Sequence, residues 1–325
     1  MYGNFALVTS QLRVALEILA MQEFNKGTQH LVNWLGLTAV VSASTLWAIA
    51  ANVANSLFSI GVNPLDLAGV SALIATLGLT LLNTLLGGGG TKAISKKQFA
   101  LGILFALFVG ADYIAIAKLP VAVAIVLIFN SPTIVVVWTA ITTRHFPSAK
   151  VLLALVLSVI GVVLVSGMLA RETEQFNAFG ILVGLTTAVL FAIYTMWSEK
   201  VSVSGTSIEV MQQIFSVASL FWIAYLFTQG MPIQLLQGEN FPKVLYMGIA
   251  GNLFPYLLYL WGIQRVQAQR AVIVATIEPV IAAVLAWVWF GQRLTAMQII
   301  GGALILMAIT ALQLTKSQAQ NSLQQ

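Results

Sequence analysis

The chain has 325 residues, 59% apolar and only 8% charged, where a soluble domain runs at about 45–50% apolar and roughly 25% charged. So few charges cannot cover a soluble globule of this size, which excludes a soluble enzyme. A net charge of +5, carried by 15 Lys and Arg set singly or in pairs between apolar runs, also excludes a nucleic-acid binder. With no Cys, and with His30 and His145 far apart, disulfide frameworks, thiol chemistry and a histidine metal centre are excluded as well.

Residues before Leu37 are too polar to cross a bilayer. Phe5, Val8, Leu12, Leu16 and Leu19 share one helical face beside Arg13 and Glu17, the pattern of a helix lying at the membrane surface. A start at Met21 is the alternative reading of this segment. Ten windows follow that approach the roughly 20 apolar residues a spanning helix needs. They are Leu37–Phe58, Leu65–Leu86, Phe99–Ala117, Val121–Ile141, Val151–Leu169, Phe179–Trp197, Ile208–Thr228, Val244–Ile263, Ala271–Phe290 and Met297–Leu314. Turn residues at Gly61 to Pro64, Gly87 to Gly90, Lys118 to Pro120 and Gly230 to Pro232 mark gaps between them. Strand-type alternation is absent, and the windows are twice the length of a barrel strand. The expected fold is all-α and integral to the membrane, with ten transmembrane helices.

Orientation follows from the basic residues. With the N-terminus inside, the inner segments hold Arg13, Lys26, Lys92, Lys96, Lys97, Arg144, Lys150, Lys200, Arg265, Arg270 and Lys316. The outer segments hold Lys118, Arg171, Lys243 and Arg293. Both termini are therefore expected on the cytoplasmic side of the plasma (inner) membrane.

The chain also repeats itself. At an offset of 144, Gly36 meets Gly180, Leu46 meets Leu190, Ala48-Ile49 meets Ala192-Ile193 and Gly61 meets Gly205. Further along the offset becomes 147: Lys118 meets Arg265, Ala124 meets Ala271 and Pro132 meets Pro279. Each half holds five spans, and an odd number of crossings makes the second half enter from the opposite side. The halves are thus expected to be inverted five-helix repeats, an arrangement typical of secondary transporters. The expected divisions are a cytoplasmic or interfacial segment 1–34, a first repeat 35–169, a second repeat 178–314 and a cytoplasmic tail 315–325.

On these residues the chain resembles the ten-helix, EamA-type branch of the drug/metabolite transporter superfamily. The second half carries most of the likeness, through Tyr259-Leu260-Trp261-Gly262, Glu278-Pro279-Val280, Phe290-Gly291-Gln292-Arg293-Leu294 and Gly301-Gly302. The first half echoes it in Trp47, Lys118-Leu119-Pro120 and Ser131-Pro132. The family usually has Glu where this chain has Gln292, and the first-half counterpart is His145. The resemblance implies export or exchange of small metabolites, amino acids among them, without ATP. No Walker loop competes: the glycines Gly87 to Gly90 lack a following Lys-Ser/Thr.

Polar groups inside the windows are functional candidates, because a charge in hydrocarbon is costly. Asp112 and Glu278 are the deepest carboxyls, and each is a candidate to carry a proton or to face a cationic substrate group. Pro132, Pro255 and Pro279 each lack an amide and crowd the carbonyl four residues back, that of Ile128, Gly251 and Ala275 respectively. Such breaks suit a hinge or an exposed backbone at the membrane midplane. Ser44, Ala48, Ala51, Asn52 and Asn55 form a small polar stripe beside Trp47, and Asn252, Tyr256 and Tyr259 form another. The stripe Thr76, Thr80 and Asn83 reads instead as glue between helices.

Together these features predict a secondary transporter of a small polar metabolite, working by alternating access and without a cofactor or a metal. The expected substrate-facing residues are Trp47, Asn55, Asp112, Asn252, Tyr256, Tyr259 and Glu278. An amino acid or related amine is the preferred substrate, by resemblance, with a proton as the candidate coupling ion and a monomer or homodimer in the lipid bilayer as the working unit. The alternative, an intramembrane enzyme acting on a lipid or lipid-linked group, needs a convergent set of nucleophile, base or metal ligands. With no Cys, no His in a window and two separate carboxyls, no catalytic residue is assigned.

Overall fold

A computed structural model describes residues 34–86, 94–131, 149–165, 177–201, 206–230, 232–263 and 277–322, with single positions or pairs between 133 and 144 and at 265 and 274–275. Among the described residues the secondary structure is helical, without strands. In chain order the helices are α1 (Trp34–Phe58), α2 (Pro64–Leu85), α3 (Lys96–Lys118), α4 (Val121–Ile128), α5 (Ala149–Val165), α6 (Ala178–Val201) and α7 (Ser207–Gln229). A helical turn, Ile233–Leu236, precedes α8, which runs through Phe241–Tyr246, Met247–Leu253 and Phe254–Ile263. Then come α9 (Ile277–Phe290) and α10 (Ala296–Ser322). Helices α1, α2, α3, α7 and α8 each contain a stretch long and apolar enough to cross a membrane. The other windows coincide with apolar helices described over shorter stretches, and the chain is a multi-pass membrane protein.

Local sequence sets the helix starts. Asn63 caps α2, accepting from Leu65 N at 2.9 Å, while Pro64 occupies a first-turn position where a missing amide costs nothing. Ser95 with Gln98, Thr206 with Glu209, and Thr295 with Gln298 form reciprocal capping boxes on α3, α7 and α10. Asn177 accepts from Gly180 N at 2.8 Å at the start of α6. Gly61 takes φ +90° just past α1, a conformation L side chains rarely adopt.

Pro255 has an effect beyond the lost bond expected at Gly251. The stretch Met247–Leu253 just before it is π-helical, and the Phe254 amide reaches back five residues to the Ile249 carbonyl. The wider turn makes room for a ring with no amide to donate. Asn252 Nδ2 donates to the Met247 carbonyl at 3.0 Å, satisfying a backbone group at the start of that segment.

Helices from the two halves interleave. α2 packs on α7, α4 on α9 and α5 on α10, while α3 lies against α6 and α7, α2 also against α8, and α4 also against α6. α1 meets α8 through Trp47 and through Val40, which lies under Gly262, and it meets α9 through Asn52. Phe105, Phe215, Leu57, Leu67, Leu79, Ile125 and Leu127 are fully buried in the shared core. The stripe read as glue does bind helices: Thr76 Oγ1 lies 2.7 Å from Ser219 Oγ, and Asn83 Nδ2 donates to Gln212 Oε1 at 2.9 Å. Gln212 Nε2 in turn donates to Thr80 Oγ1, and Gln98 Nε2 donates to Gln213 Oε1. All of these bonds stitch α2 and α3 to α7.

Candidate functional site

An aromatic cluster occupies the middle of the helix array. Phe105 of α3 stands at its centre, with ring centroids 4.9 Å from Phe215 of α7, 5.0 Å from Tyr256 of α8 and 5.4 Å from Tyr194 of α6. Phe108, one turn along α3, stacks on Phe191 at 5.1 Å. From α1, Trp47 meets Tyr256 at 5.0 Å and Tyr259 at 5.3 Å, both edge to face. Edge-to-face pairs match the positive ring edge to the negative face and contribute about 0.5–1.5 kcal/mol each beyond burial.

Both deep carboxyls lie within electrostatic reach of this cluster. Asp112 and Glu278 lie within electrostatic reach of each other, and Tyr256 lies within reach of both. Tyr259 lies within electrostatic reach of Glu278. Tyr113, next to Asp112, accepts from Asn252 Nδ2 at 3.4 Å and is hydrogen-bonded to Ser71 of α2. Trp47, Asp112, Tyr256, Tyr259 and Glu278 are each half-buried, while Phe105, Tyr113, Tyr194 and Asn252 behind them are buried.

Several buried polar atoms here have no hydrogen-bond partner among the described residues: Asp112 Oδ1, Trp47 Nε1, Ser44 Oγ and Asn52 Oδ1. Asn52 is fully buried, and its Nδ2 donates both to Ala48 O at 2.8 Å and to Ala282 O of α9 at 3.2 Å. Its oxygen is thus held at the seam between α1 and α9, one turn from Glu278. A buried, unpaired polar atom costs about 1–3 kcal/mol, so each of these needs a reason. Among the described residues no group of three His, Cys, Asp or Glu is placed to hold a metal.

Of the residues singled out from sequence, the structure brings together Trp47, Asp112, Tyr256, Tyr259 and Glu278, with Asn252 joined to them through Tyr113. Asn55 is half-buried two turns beyond Trp47 on α1. Pro255 lies in α8 between Asn252 and Tyr256, and Pro279 is buried beside Glu278. Pro132 lies outside the described residues. The residues flanking it form a polar knot, in which Ser158 Oγ of α5 donates to Asn130 Oδ1 at 2.5 Å and lies 3.1 Å from Thr133 Oγ1. At the α9–α10 connection, Gln292 Oε1 accepts from Val121 N at 3.2 Å. An amide oxygen thus caps the start of α4 where the resembled family usually places a carboxylate; His145 lies outside the described residues. Sequence reasoning passed over Phe105 and Tyr194, which nothing distinguishes from lipid-facing aromatics, and did not select Asn52 from its stripe.

Residues 178–313 match the model of the EamA-like transporter family. The chain is 25% identical over 286 residues to a protein of Salmonella typhimurium named as an uncharacterized inner membrane transporter, YicL, covering 86% of this chain and 95% of that one. It is 28% identical over 200 residues to an uncharacterized transporter of Archaeoglobus fulgidus, covering 61% and 70%. It is 23% identical over 299 residues to the threonine/homoserine exporter RhtA of Salmonella typhimurium, covering 89% and 94%. A protein of known crystal structure superposes with a TM-score of 0.60 at 18% identity, over 87% of this chain and 96% of that chain, which speaks to the fold alone.

Proposed function

We propose that this chain, which is an EamA-type member of the drug/metabolite transporter superfamily, moves a small polar metabolite across the plasma membrane by alternating access. The substrate is held at the aromatic and carboxyl cluster, by Trp47, Asn55, Asp112, Asn252, Tyr256, Tyr259 and Glu278. The observation that carries this reading is that the Trp47, Tyr256 and Tyr259 rings pack together within electrostatic reach of two carboxyls, with unpartnered polar atoms on Asp112 and Trp47 themselves and on Asn52 of the same α1 stripe. These elements come from both halves of the chain, so movement of one half against the other opens and closes the site. An exporter of an amino acid or related amine is favoured, since one relative is named as a threonine/homoserine exporter. A proton carried by Asp112 or Glu278 is the proposed coupling ion.

The pattern of contacts supports two inverted five-helix repeats, 35–169 and 178–314. Exchanging each helix with its counterpart five places along turns the α3–α6 contact into α8–α1, α2–α8 into α7–α3, and α4–α6 into α9–α1, all of which occur. α2–α7, α4–α9 and α5–α10 map onto themselves. Single residues follow: Gly184 lies under Leu127, and their repeat mates Val40 and Val274 belong to one hydrophobic cluster with Ala275. Trp47 and its mate Phe191 both enter the aromatic cluster.

The test is counterflow in liposomes holding the purified protein, without ATP, against a panel of amino acids and amines. Exchange of any panel member on preloading supports the reading, and an inert panel contradicts it.

The proposed orientation places both termini and the α2–α3 connection in the cytoplasm. Segments that the basic residues assign to one side do meet: Gln234 Nε2 donates to Ile60 O, and Gln292 accepts from Val121 N, both on the proposed outer side. Ile94 and Glu239 are exposed and lie on opposite sides in this scheme. Ile94 is preferred to Ser95, whose side chain caps α3. In intact cells an impermeant thiol reagent is expected to label Glu239→Cys and to spare Ile94→Cys; the reverse pattern inverts the topology.

A further inference from the structure

The charge balance of the cluster narrows the substrate class. Its formal charges are both negative, Asp112 and Glu278. Lys and Arg among the described residues stand in the outer turns of helices or in connecting segments: Lys96, Lys97 and Lys118 on α3, Lys150 on α5, Lys200 on α6, Lys243 on α8, Lys316 on α10, and Arg144, Arg265 and Arg293 elsewhere. Arg265 is already engaged, with its guanidinium 3.6 Å above the Trp261 ring. Asp112 therefore has no basic partner on its own helix face, and its Oδ1 has no hydrogen-bond donor among the described residues.

The unpartnered atoms lean the same way. Asp112 Oδ1 and Asn52 Oδ1 only accept, and Ser44 Oγ accepts or donates. Only Trp47 Nε1 is purely a donor. Asn52 is the observation independent of the carboxyls. Fully buried, with its amide nitrogen engaged by two carbonyls, it presents an acceptor at the α1–α9 seam beside the Glu278 turn. Acceptors in excess call for a ligand rich in N–H donors. Trp47, Tyr256 and Tyr259 add the ring faces that attract a cation stripped of water.

A zwitterionic amino acid fits this inventory poorly. Its carboxylate would enter beside two carboxyls, with neutral donors alone among the described residues to receive it, whereas carboxylate recognition ordinarily uses Arg or Lys. An amine without a carboxylate brings only the charge that the described residues of the site lack. Resting on the transport reading above, we propose that Asp112 and Glu278, with the Asn52 oxygen and the Trp47, Tyr256 and Tyr259 rings, select an organic ammonium substrate that carries no carboxylate.

The test uses the full chain in liposomes, with radiolabelled 1,4-diaminobutane and threonine as probes in separate counterflow runs. Diaminobutane is expected to exchange, and threonine to exchange at most weakly. Asp112→Asn and Glu278→Gln should each lower diaminobutane exchange by about tenfold or more, the scale of one lost charge-assisted contact. Asp112→Glu, which keeps the charge, should restore part of it, and Thr80→Ala should leave it unchanged. Threonine exchange without diaminobutane exchange overturns this inference and leaves the transport reading standing. So does diaminobutane exchange that survives both neutral variants at wild-type rate. If neither probe moves, the inference is overturned, and the transport reading falls with it only if the whole panel is inert.

Discussion

Gly248→Val is expected to leave the protein poorly folded, with a loss of at least about 1–3 kcal/mol, the usual cost of forcing extra carbons into a packed contact. α8 crosses α2 at this residue. A Cβ placed there would lie 2.4 Å from both Cβ and Cγ2 of Ile74, and 3.2 Å from the Ser71 carbonyl. The Ile74 Cβ is fixed to its backbone and cannot swing aside, so the helices themselves must separate. α8 also carries Asn252, Tyr256 and Tyr259, and tilting it would disturb the contacts those residues make with Tyr113 and Trp47. Thermal unfolding of the detergent-purified variant checks this. Gly238→Ala is the control, since nothing lies near a Cβ at that exposed position. Equal unfolding temperatures for both variants and the parent would show that α2 and α8 are not in this close contact.

The second large effect falls on transport itself. Tyr259→Ala removes one of the two rings packed on Trp47 and a hydroxyl within electrostatic reach of Glu278. Asn252→Ala removes the donor to the Tyr113 hydroxyl and to the Met247 carbonyl, loosening the π-helical segment that sets the rings. Each lost contact of about 1–1.5 kcal/mol corresponds to roughly tenfold in affinity. Both variants are therefore expected to raise the half-saturating substrate concentration in counterflow by about an order of magnitude. Thr80→Ala disturbs only the exposed end of the α2–α7 stitching and should leave that concentration unchanged. Wild-type values for Tyr259→Ala and Asn252→Ala, with a large change for Thr80→Ala, would move the site to the α2–α7 face.

Much of the fold was legible because a long apolar run has few uses outside a membrane. α1 covers the whole of the window Leu37–Phe58, and α2 starts at Pro64, one residue before its window. The signals that start helices were also present in the sequence, in Asn63-Pro64 and in the pairs Ser95/Gln98, Thr206/Glu209 and Thr295/Gln298. The π-helical stretch before Pro255 was not legible: proline announces a missing bond, but not how the backbone around it is rearranged. The i, i+4, i+7 spacing of Asn252, Tyr256 and Tyr259 placed them on one face, and the rarity of intramembrane charge marked Asp112 and Glu278. Phe105 and Tyr194 gave no such signal. Lipid and protein interior are equally apolar, so hydrophobic periodicity cannot tell which face of a buried helix meets its neighbours. Asn52 differs from Asn55 only in what lies opposite, and the Ala282 carbonyl is 230 positions away in sequence.

Alternating access makes a demand that can be measured directly. The chain has no Cys, so Asn55→Cys places a single thiol on α1, half-buried and two turns from Trp47. In vesicles of known orientation, an impermeant thiol reagent is added from one side at a time, with and without a substrate found by counterflow. The account predicts labelling from either side, with substrate shifting the two rates in opposite directions as the halves move. Labelling from one side only, at a rate that substrate leaves unchanged, would contradict it.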